Sequence, residues 1–270
     1  MGIRVVVCGA NGRMGREVVK AVLDDPDLEL VGAAGRSNGV GQDVGTLIGR
    51  NPVGIVLLPS LEDAIDSGKP DVVVDFTTPA SVKQNLKVIA EHKAHAVVGT
   101  SGLRESDIPE IACTFERHGK NAVIAPNFSL GAVLLLKLAL EVSKIFPQIE
   151  IVETHHDAKL DAPSGTAIRY AEAIARARAS ASKDSMGHEK LPGARGAQLG
   201  GIRIHSVRLP GFLAQHTVVA GSRGERLLLT HECMSRDSFM PGVLLAVKKV
   251  PHINGVVYGL ENLLETRAKE

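Results

Sequence analysis

Between Glu153 and Ala167 the chain reads Glu-Thr-His-His-Asp-Ala-Lys-Leu-Asp-Ala-Pro-Ser-Gly-Thr-Ala. Two imidazoles (His155 and His156), an ammonium (Lys159) and a Ser164-Gly165-Thr166 turn fall within this one stretch. Imidazole and ammonium groups move protons near neutral pH. The turn runs into a helix expected over about 164–179, and the free N–H groups of a helix start hold carboxylates or phosphates. Adjacent histidines on a strand point to opposite faces, so both reach one ligand only where the strand ends. Asp157-Ala158 and Pro163 signal such an end. A metal site is disfavoured: no His-x-x-x-His on a helix, no Cys-x-x-Cys and no carboxylate cluster in ligand spacing is present. Nor does Ser164 read as a nucleophile, because it follows a proline at an expected N-cap, where capping is its simplest role.

A second chemistry-bearing segment lies at the other end. Val5-Val6-Val7-Cys8-Gly9-Ala10-Asn11-Gly12-Arg13-Met14-Gly15 reads as a strand, a glycine turn and a helix start. Glycines there permit the tight turn and let a diphosphate approach the backbone, with the helix N-terminus facing its charge. The spacing, Gly-x-x-Gly-x-x-Gly, departs from Gly-x-Gly-x-x-Gly, yet its position after a buried strand predicts dinucleotide binding. The end of the next strand reads Ala33-Ala34-Gly35-Arg36-Ser37. It offers no carboxylate for a ribose 2′-hydroxyl, whereas Arg36 suits a 2′-phosphate, which tilts the reading toward NADPH and leaves NADH open. Turns at Asp75 to Pro79, at Gly99-Thr100-Ser101 and at Ala125-Pro126-Asn127-Phe128 follow further strands, where ligands of open α/β sheets bind. Backbone groups of 99–101 are candidates for ribose or nicotinamide contacts, and the Phe128 ring for packing on the nicotinamide.

The elements that must position these groups alternate. Strands are expected at 3–8, 28–34, 71–76, 94–99 and 122–125, with helices at 13–23, 61–67, 81–91 and 107–118. This is a Rossmann-like, doubly wound parallel sheet. After residue 128 the character changes. A helix over 130–145, a strand over 150–154, the His-rich loop, the helix from 164 and strands at 202–208, 216–220 and 225–232 make a second α+β domain with a mixed or antiparallel sheet. A glycine-rich stretch over 180–201 reads as a long functional or mobile loop. The tail, helical over 239–250 with a strand or edge turn at 255–260, is expected to return to the first domain. The domain bounds are thus 1–128, 129–238 and 239–270.

With 270 residues, the chain is long enough for two modest domains, and 44% hydrophobic with 23% charged residues is ordinary globular composition. A net charge of +1 and 3% aromatics argue against a nucleic-acid partner. The longest apolar run, near 131–136, is broken by Lys137 and is too short to span a bilayer, so no membrane partner is expected. Cys8, Cys113 and Cys233 form an odd, dispersed set and are expected to be buried reduced thiols. The opening Met1-Gly2-Ile3-Arg4 runs straight into a strand without a secretory pattern, so the expected location is cytoplasmic.

Together the glycine turn, Gly99-Thr100-Ser101, Ala125 to Phe128 and the long segment from Glu153 to Ala167 make the chain resemble the 4-hydroxy-tetrahydrodipicolinate reductase (dihydrodipicolinate reductase) family over essentially its whole length. The resemblance implies NADPH- or NADH-dependent reduction of a cyclic imine dicarboxylate to tetrahydrodipicolinate in lysine and diaminopimelate biosynthesis. It implies His155 as proton donor/acceptor and Lys159 as proton donor. His156, Ser164, Gly165 and Thr166 are then substrate contacts. Gly9, Ala10, Asn11, Gly12, Arg13, Met14, Arg36, the two later turns and Arg236 are then cofactor contacts. It further implies a homotetramer. Two positions depart from many relatives: Gly35, where an acidic residue is common, and Thr78, where some carry arginine. Two rival readings remain at this stage. Another two-domain amino-acid dehydrogenase, acting on aspartate or homoserine, would explain the first domain but not Asp161 to Ala167. A nonenzymatic nucleotide sensor on the same fold would bind cofactor without turnover.

Overall fold

The computed structural model describes residues 2–36, 38–178 and 188–265. In chain order the elements are β1 (Ile3–Cys8), α1 (Arg13–Asp24), β2 (Leu28–Ala34), α2 (Val44–Leu47), β3 (Leu57–Leu58), α3 (Leu61–Gly68), β4 (Val72–Asp75), α4 (Val82–Glu91), β5 (His95–Val98), α5 (Ile108–Arg117), β6 (Ala122–Ile124), α6 (Leu130–Ser143), β7 (Gln148–His155), α7 (Gly165–Ala177), β8 (Ala197–Leu199), β9 (Ile202–Arg208), β10 (Ala214–Ser222), β11 (Glu225–Cys233), α8 (Met240–Lys249), β12 (Val256–Tyr258) and α9 (Leu260–Glu265). They fall into two compact units, Met1–Leu130 with Phe239–Glu270, and Gly131–Ser238.

The first unit is built on a parallel sheet of seven strands in the order β12-β6-β5-β4-β1-β2-β3. Val5, Val6 and Val7 of β1 and Val72, Val73 and Val74 of β4 are fully buried, as continuous β-branched runs in the middle of a covered sheet must be. On one face α3, α4 and α5 contribute Ala64, Ile65, Leu86, Ile89, Ile111 and Phe115 to a single apolar cluster. Helix α1 buries Val18, Val19 and Val22 and packs with α8. The strand order reverses between β1 and β4, and a doubly wound sheet opens a crevice at the carboxyl ends of the strands at such a point.

Helix α1 can start where it does because of Gly15. A Cβ at that position would stand 2.0 Å from the Gly9 carbonyl oxygen, and Gly9 itself adopts φ +82°. The helix and the turn below it are therefore in backbone contact.

The second unit carries a five-stranded mixed sheet, β11-β10-β7-β9-β8, in which β7 and β9 run parallel and the other pairs antiparallel. Helices α6 and α7 cover one face, with Leu135, Ala139, Tyr170 and Ile174 packed on Ile149, Ile151, Ile204 and Val218. The alternating burial of β7 and β10 follows from that one-sided cover.

Several expectations need correction. The stretch 180–201 is not structureless throughout: Ala197–Leu199 forms an edge strand against β9, while its first part, through 187, lies outside the described residues, as does the expected helix end at 179. The segment after 255 is a parallel edge strand joined to β6, followed by a helix that the sequence pattern does not announce. Cys8 and Cys233 are buried, but Cys113 is exposed, because it sits on the outer face of α5. Elements α2 and β3 were not expected at all.

Gly15→Ala is expected to destabilise the first unit by about 1–3 kcal/mol, the usual cost of overpacking. Urea denaturation would measure this, and an unchanged midpoint would contradict the close backbone contact.

Candidate active site

At the carboxyl ends of the first unit's strands lies a cleft of about 510 Å³. It is lined by Gly9, Asn11 and Gly12 after β1, Gly35 and Arg36 after β2, Ser60 and Glu62 after β3, and Thr77 and Thr78 after β4. Helix α1 opens at Gly12 without a side-chain cap, so its first N–H groups stay available to an anion. The cleft thus fits a dinucleotide: an uncapped helix start, a glycine floor and a cation, Arg36, at the rim.

Its shape is held by two polar devices. The Asn11 amide donates to the carbonyls of Arg36 and Asn38, each at 2.8 Å. Its side chain therefore anchors the loop after β2, and a ligand is left with its backbone. A Cβ at Gly35 would stand 2.4 Å from Asn11 Oδ1. The second device is Asp75, fully buried at the end of β4. Its carboxylate accepts from Thr77 N–H (2.9 Å), Thr77 Oγ1 (2.7 Å), Thr100 Oγ1 (2.7 Å) and Asn85 Nδ2 (2.7 Å). One carboxylate so fixes the turns after β4 and β5, including the Gly99-Thr100-Ser101 segment, against α4. Asp75 carries no charge pattern in sequence that would single it out.

The turn Ala125 to Phe128 follows β6. Phe128 is buried, its ring centroid 5.8 Å from that of Phe76. The expectation that this ring packs on a nicotinamide is therefore corrected: the ring belongs to the core, and backbone groups are what the turn offers. Arg236 opens a 3-10 turn, Arg236–Phe239, at the end of the second unit.

In the second unit β7 ends at His155. Period-two alternation puts Ile149, Ile151, Glu153 and His155 on one face. The last two therefore continue the apolar row into the space at the start of α7. Register adds the neighbours: Ser206 and His216 lie opposite Glu153, and Arg208 lies opposite His155. Glu153 is fully buried. It pairs with His155 Nδ1, accepts two bonds from the Arg208 guanidinium (3.0 and 2.9 Å) and one from the Ser164 N–H (3.2 Å). Burial works to raise the Glu153 carboxyl, but Arg208, Ser206 and His155 outweigh it and hold it below the ordinary carboxylate value. For His155, burial lowers the imidazole most. Glu153 opposes this, and the Lys159 and Arg208 charges add to it, for a net shift below the ordinary value.

Ser164 caps α7, its Oγ accepting from Ala167 N–H at 3.2 Å and sharing a 3.1 Å hydrogen bond with His216 Nε2. With its hydroxyl committed and its side chain buried, Ser164 acts here as a cap; Gly165 and Thr166 leave their N–H groups at the helix start. His156 is half-buried in the loop, and its carbonyl accepts from Lys159 N–H at 3.1 Å. Lys159 Nζ donates to Asp161 at 2.7 Å, and Arg208 Nη2 reaches the Asp161 carbonyl at 2.7 Å. His155, Lys159 and the α7 start are thereby tied together through Glu153, Arg208 and Asp161. Of these three, the sequence reading singled out none. Glu153 was visible as the i−2 neighbour of His155 on a strand, whereas Arg208 depends on a register that spacing does not reveal.

A doubly wound unit with a glycine-turn cleft, and a second unit with a histidine–carboxylate pair beside a helix start, define the class of two-unit dinucleotide-dependent oxidoreductases. Family models described as dihydrodipicolinate reductase, N-terminus, and dihydrodipicolinate reductase, C-terminus, match residues 3–128 and 131–264. A 4-hydroxy-tetrahydrodipicolinate reductase from Moorella thermoacetica is 46% identical over 263 residues, 97% of this chain and 98% of that protein. One from Listeria monocytogenes is 43% identical over 264 residues, 97% and 100% of the two chains. Among solved structures, a dipicolinate-bound dihydrodipicolinate reductase from Paenisporosarcina sp. TG-14 is 38% identical, with a TM-score of 0.86 over 97% of this chain and 100% of that one. The chain belongs to the dihydrodipicolinate reductase family. An amine dehydrogenase from Mycobacterium smegmatis, 16% identical with a TM-score of 0.67, shares the fold alone.

Burial lowers His216 to about 4, with His155 next in effect, and burial followed by Lys120 lowers His95 to about 4. Both imidazoles are neutral in the folded state and take up protons near 6.5 when unfolded. The unfolded state therefore binds more protons between these values. Their contribution is complete above about pH 6.5 and is lost as pH falls toward about 4. The urea midpoint should already drop between about pH 7 and about pH 5, above the range where the carboxylates titrate. A flat midpoint over that interval would contradict the buried neutral histidines.

Proposed function

We propose that the protein reduces 4-hydroxy-tetrahydrodipicolinate (dihydrodipicolinate once its hydroxyl has left as water) to tetrahydrodipicolinate, with a hydride from NADPH or NADH and one proton, in lysine and diaminopimelate biosynthesis. The observation that carries this reading is the double engagement of Glu153. One buried carboxylate accepts from the His155 imidazole and from the Ser164 N–H at the start of α7. A proton-transfer group and an anion-binding helix start are thereby fixed to each other.

In this reading residues 1–128 with 239–270 hold the cofactor, and residues 129–238 hold the substrate and form a homotetramer in the cytoplasm. The dinucleotide supplies the hydride when bound. The N–H groups of Arg13 and Met14 at the start of α1 would hold its pyrophosphate beside the turn of Gly9, Ala10 and Gly12, where the Gly12 N–H is donated to the Gly9 carbonyl at 2.9 Å, and the Asn11 side chain holds the loop that carries Arg36. Backbone groups of Gly99, Thr100 and Ser101 and of Ala125, Pro126 and Asn127 border its ribose and nicotinamide, with Arg236 as a further contact. Arg36 takes the 2′-phosphate of NADPH. The carboxylate that would favour NADH has no room at position 35 while Asn11 stands there. Gly165 and Thr166 N–H groups and His156 grip the substrate's carboxylates. Lys159 donates a proton, and His155 exchanges one at Nε2. The Lys159 ammonium offsets negative charge that the arriving hydride places on the ring, and the transferred proton then discharges it.

Turnover is measured with the substrate generated in place by the preceding synthase, following nicotinamide absorbance. His155→Ala and Lys159→Ala are each expected to lower kcat by about two to four orders of magnitude, the range for acid–base groups. Near-wild-type turnover in both would contradict the assigned roles. Arg36→Ala is expected to raise KM for NADPH about tenfold, the value of one charge-assisted bond, and to leave NADH within about twofold. Equal losses with both cofactors would remove Arg36 as the phosphate contact.

A further inference from the structure

We propose that Glu153 is a positioning residue for His155: it keeps the hydrogen on Nδ1, so that Nε2 is the nitrogen that exchanges protons, while Arg208 neutralises the carboxylate so that it does not lock the imidazole in its charged form. The inference rests on the catalytic reading of His155 given above.

Glu153 and His155 are two residues apart on β7, so the pairing is set by the strand and not by a loop. Arg208 comes from the neighbouring strand β9 at the register position opposite His155. An ionised carboxylate only accepts hydrogen bonds. Its partner nitrogen, Nδ1, therefore carries a hydrogen in both the neutral and the protonated imidazole, and the proton that comes and goes does so at Nε2.

The bidentate guanidinium decides the strength of the effect. A buried carboxylate left to itself would hold the imidazole as a cation across the neutral range. The two Arg208 bonds, at 3.0 and 2.9 Å, spread that negative charge over a second partner. The charged and titratable groups around His155 come from several elements: Glu153 on β7, Arg208 on β9, the His216 ring edge-on at 5.3 Å on β10, and Lys159 in the loop before α7. Glu153 is the carboxylate bonded directly to His155, and its removal leaves the Lys159 and Arg208 charges to act on the imidazole. The net downward shift of His155 agrees with this arrangement.

Glu153→Gln keeps an acceptor for Nδ1 and removes the charge. The His155-dependent limb of the kcat profile is expected to move to lower pH by about one unit or more, with kcat at neutral pH about tenfold or more lower and recovering on acidification. KM for NADPH is expected to stay within about twofold, because no cofactor contact is touched. An unshifted limb with unchanged kcat would overturn the proposal. A second measurement needs no Glu153 variant. In histidine-labelled wild-type protein, long-range nitrogen–proton correlation, assigned by loss of the signal in His155→Gln, is expected to show the Nδ1–H form, and an Nε2–H form would overturn the proposal even if Glu153→Gln fails to fold. Wild-type turnover in His155→Ala would instead sink the catalytic reading itself, a result distinct from either of these.

Discussion

The Glu153 carboxylate has no contact with solvent, and a buried anion must be matched by donors that the fold supplies. The polar end of the second sheet is built to that requirement. Arg208 from β9, the His155 imidazole from β7, and the Ser164 N–H from the start of α7 all converge on one group. Losing the Arg208 guanidinium would leave charge unpaired in the interior, which is far costlier than losing a surface pair. The same constraint serves the chemistry, because the groups that satisfy the carboxylate are the ones proposed to move the proton and seat the substrate's carboxylate.

The first unit uses a buried carboxylate differently. Asp75 meets hydroxyls, an amide and a backbone N–H, and these bonds join the turns after β4 and β5 to α4. Ligand-facing backbone then rests on a rigid mount, which suits a cleft that recognises a dinucleotide largely through main-chain groups. Gly15 and Gly35 complete it from the other side. One lets α1 close over its turn, and the other leaves room for the Asn11 side chain that fixes the loop bearing Arg36.

The parallel sheet was legible because Val5-Val6-Val7 and Val72-Val73-Val74 are continuous β-branched runs separated by helical stripes, a pattern few other folds produce. The two-residue strand β3 was not, since Leu57–Leu58 has no periodicity of its own and is a strand only because it pairs with Ala33 and Ala34. Edge strand β8 was hidden in the same way by its glycine-rich surroundings. At the candidate site, His155, Lys159 and the Ser-Gly-Thr cap stood out because they are close in sequence. Arg208 and His216 enter through strand register, a long-range property that local spacing does not encode. Glu153 was within reach of the reading, since alternation alone puts it beside His155. The Phe128 ring looked available in sequence, where an aromatic residue in a ligand-side turn is not distinguished from one that packs inward.

The most direct test of the central claim, that Glu153 acts on the reaction through His155, is a double-mutant cycle on kcat/KM with Glu153→Gln and His155→Ala. Once the imidazole is gone, the carboxylate should have nothing left to position. The double variant is therefore expected to fall within about twofold of His155→Ala alone, with the whole Glu153→Gln effect appearing as coupling. Losses that simply multiply would mean that the two residues act independently, and would contradict the account.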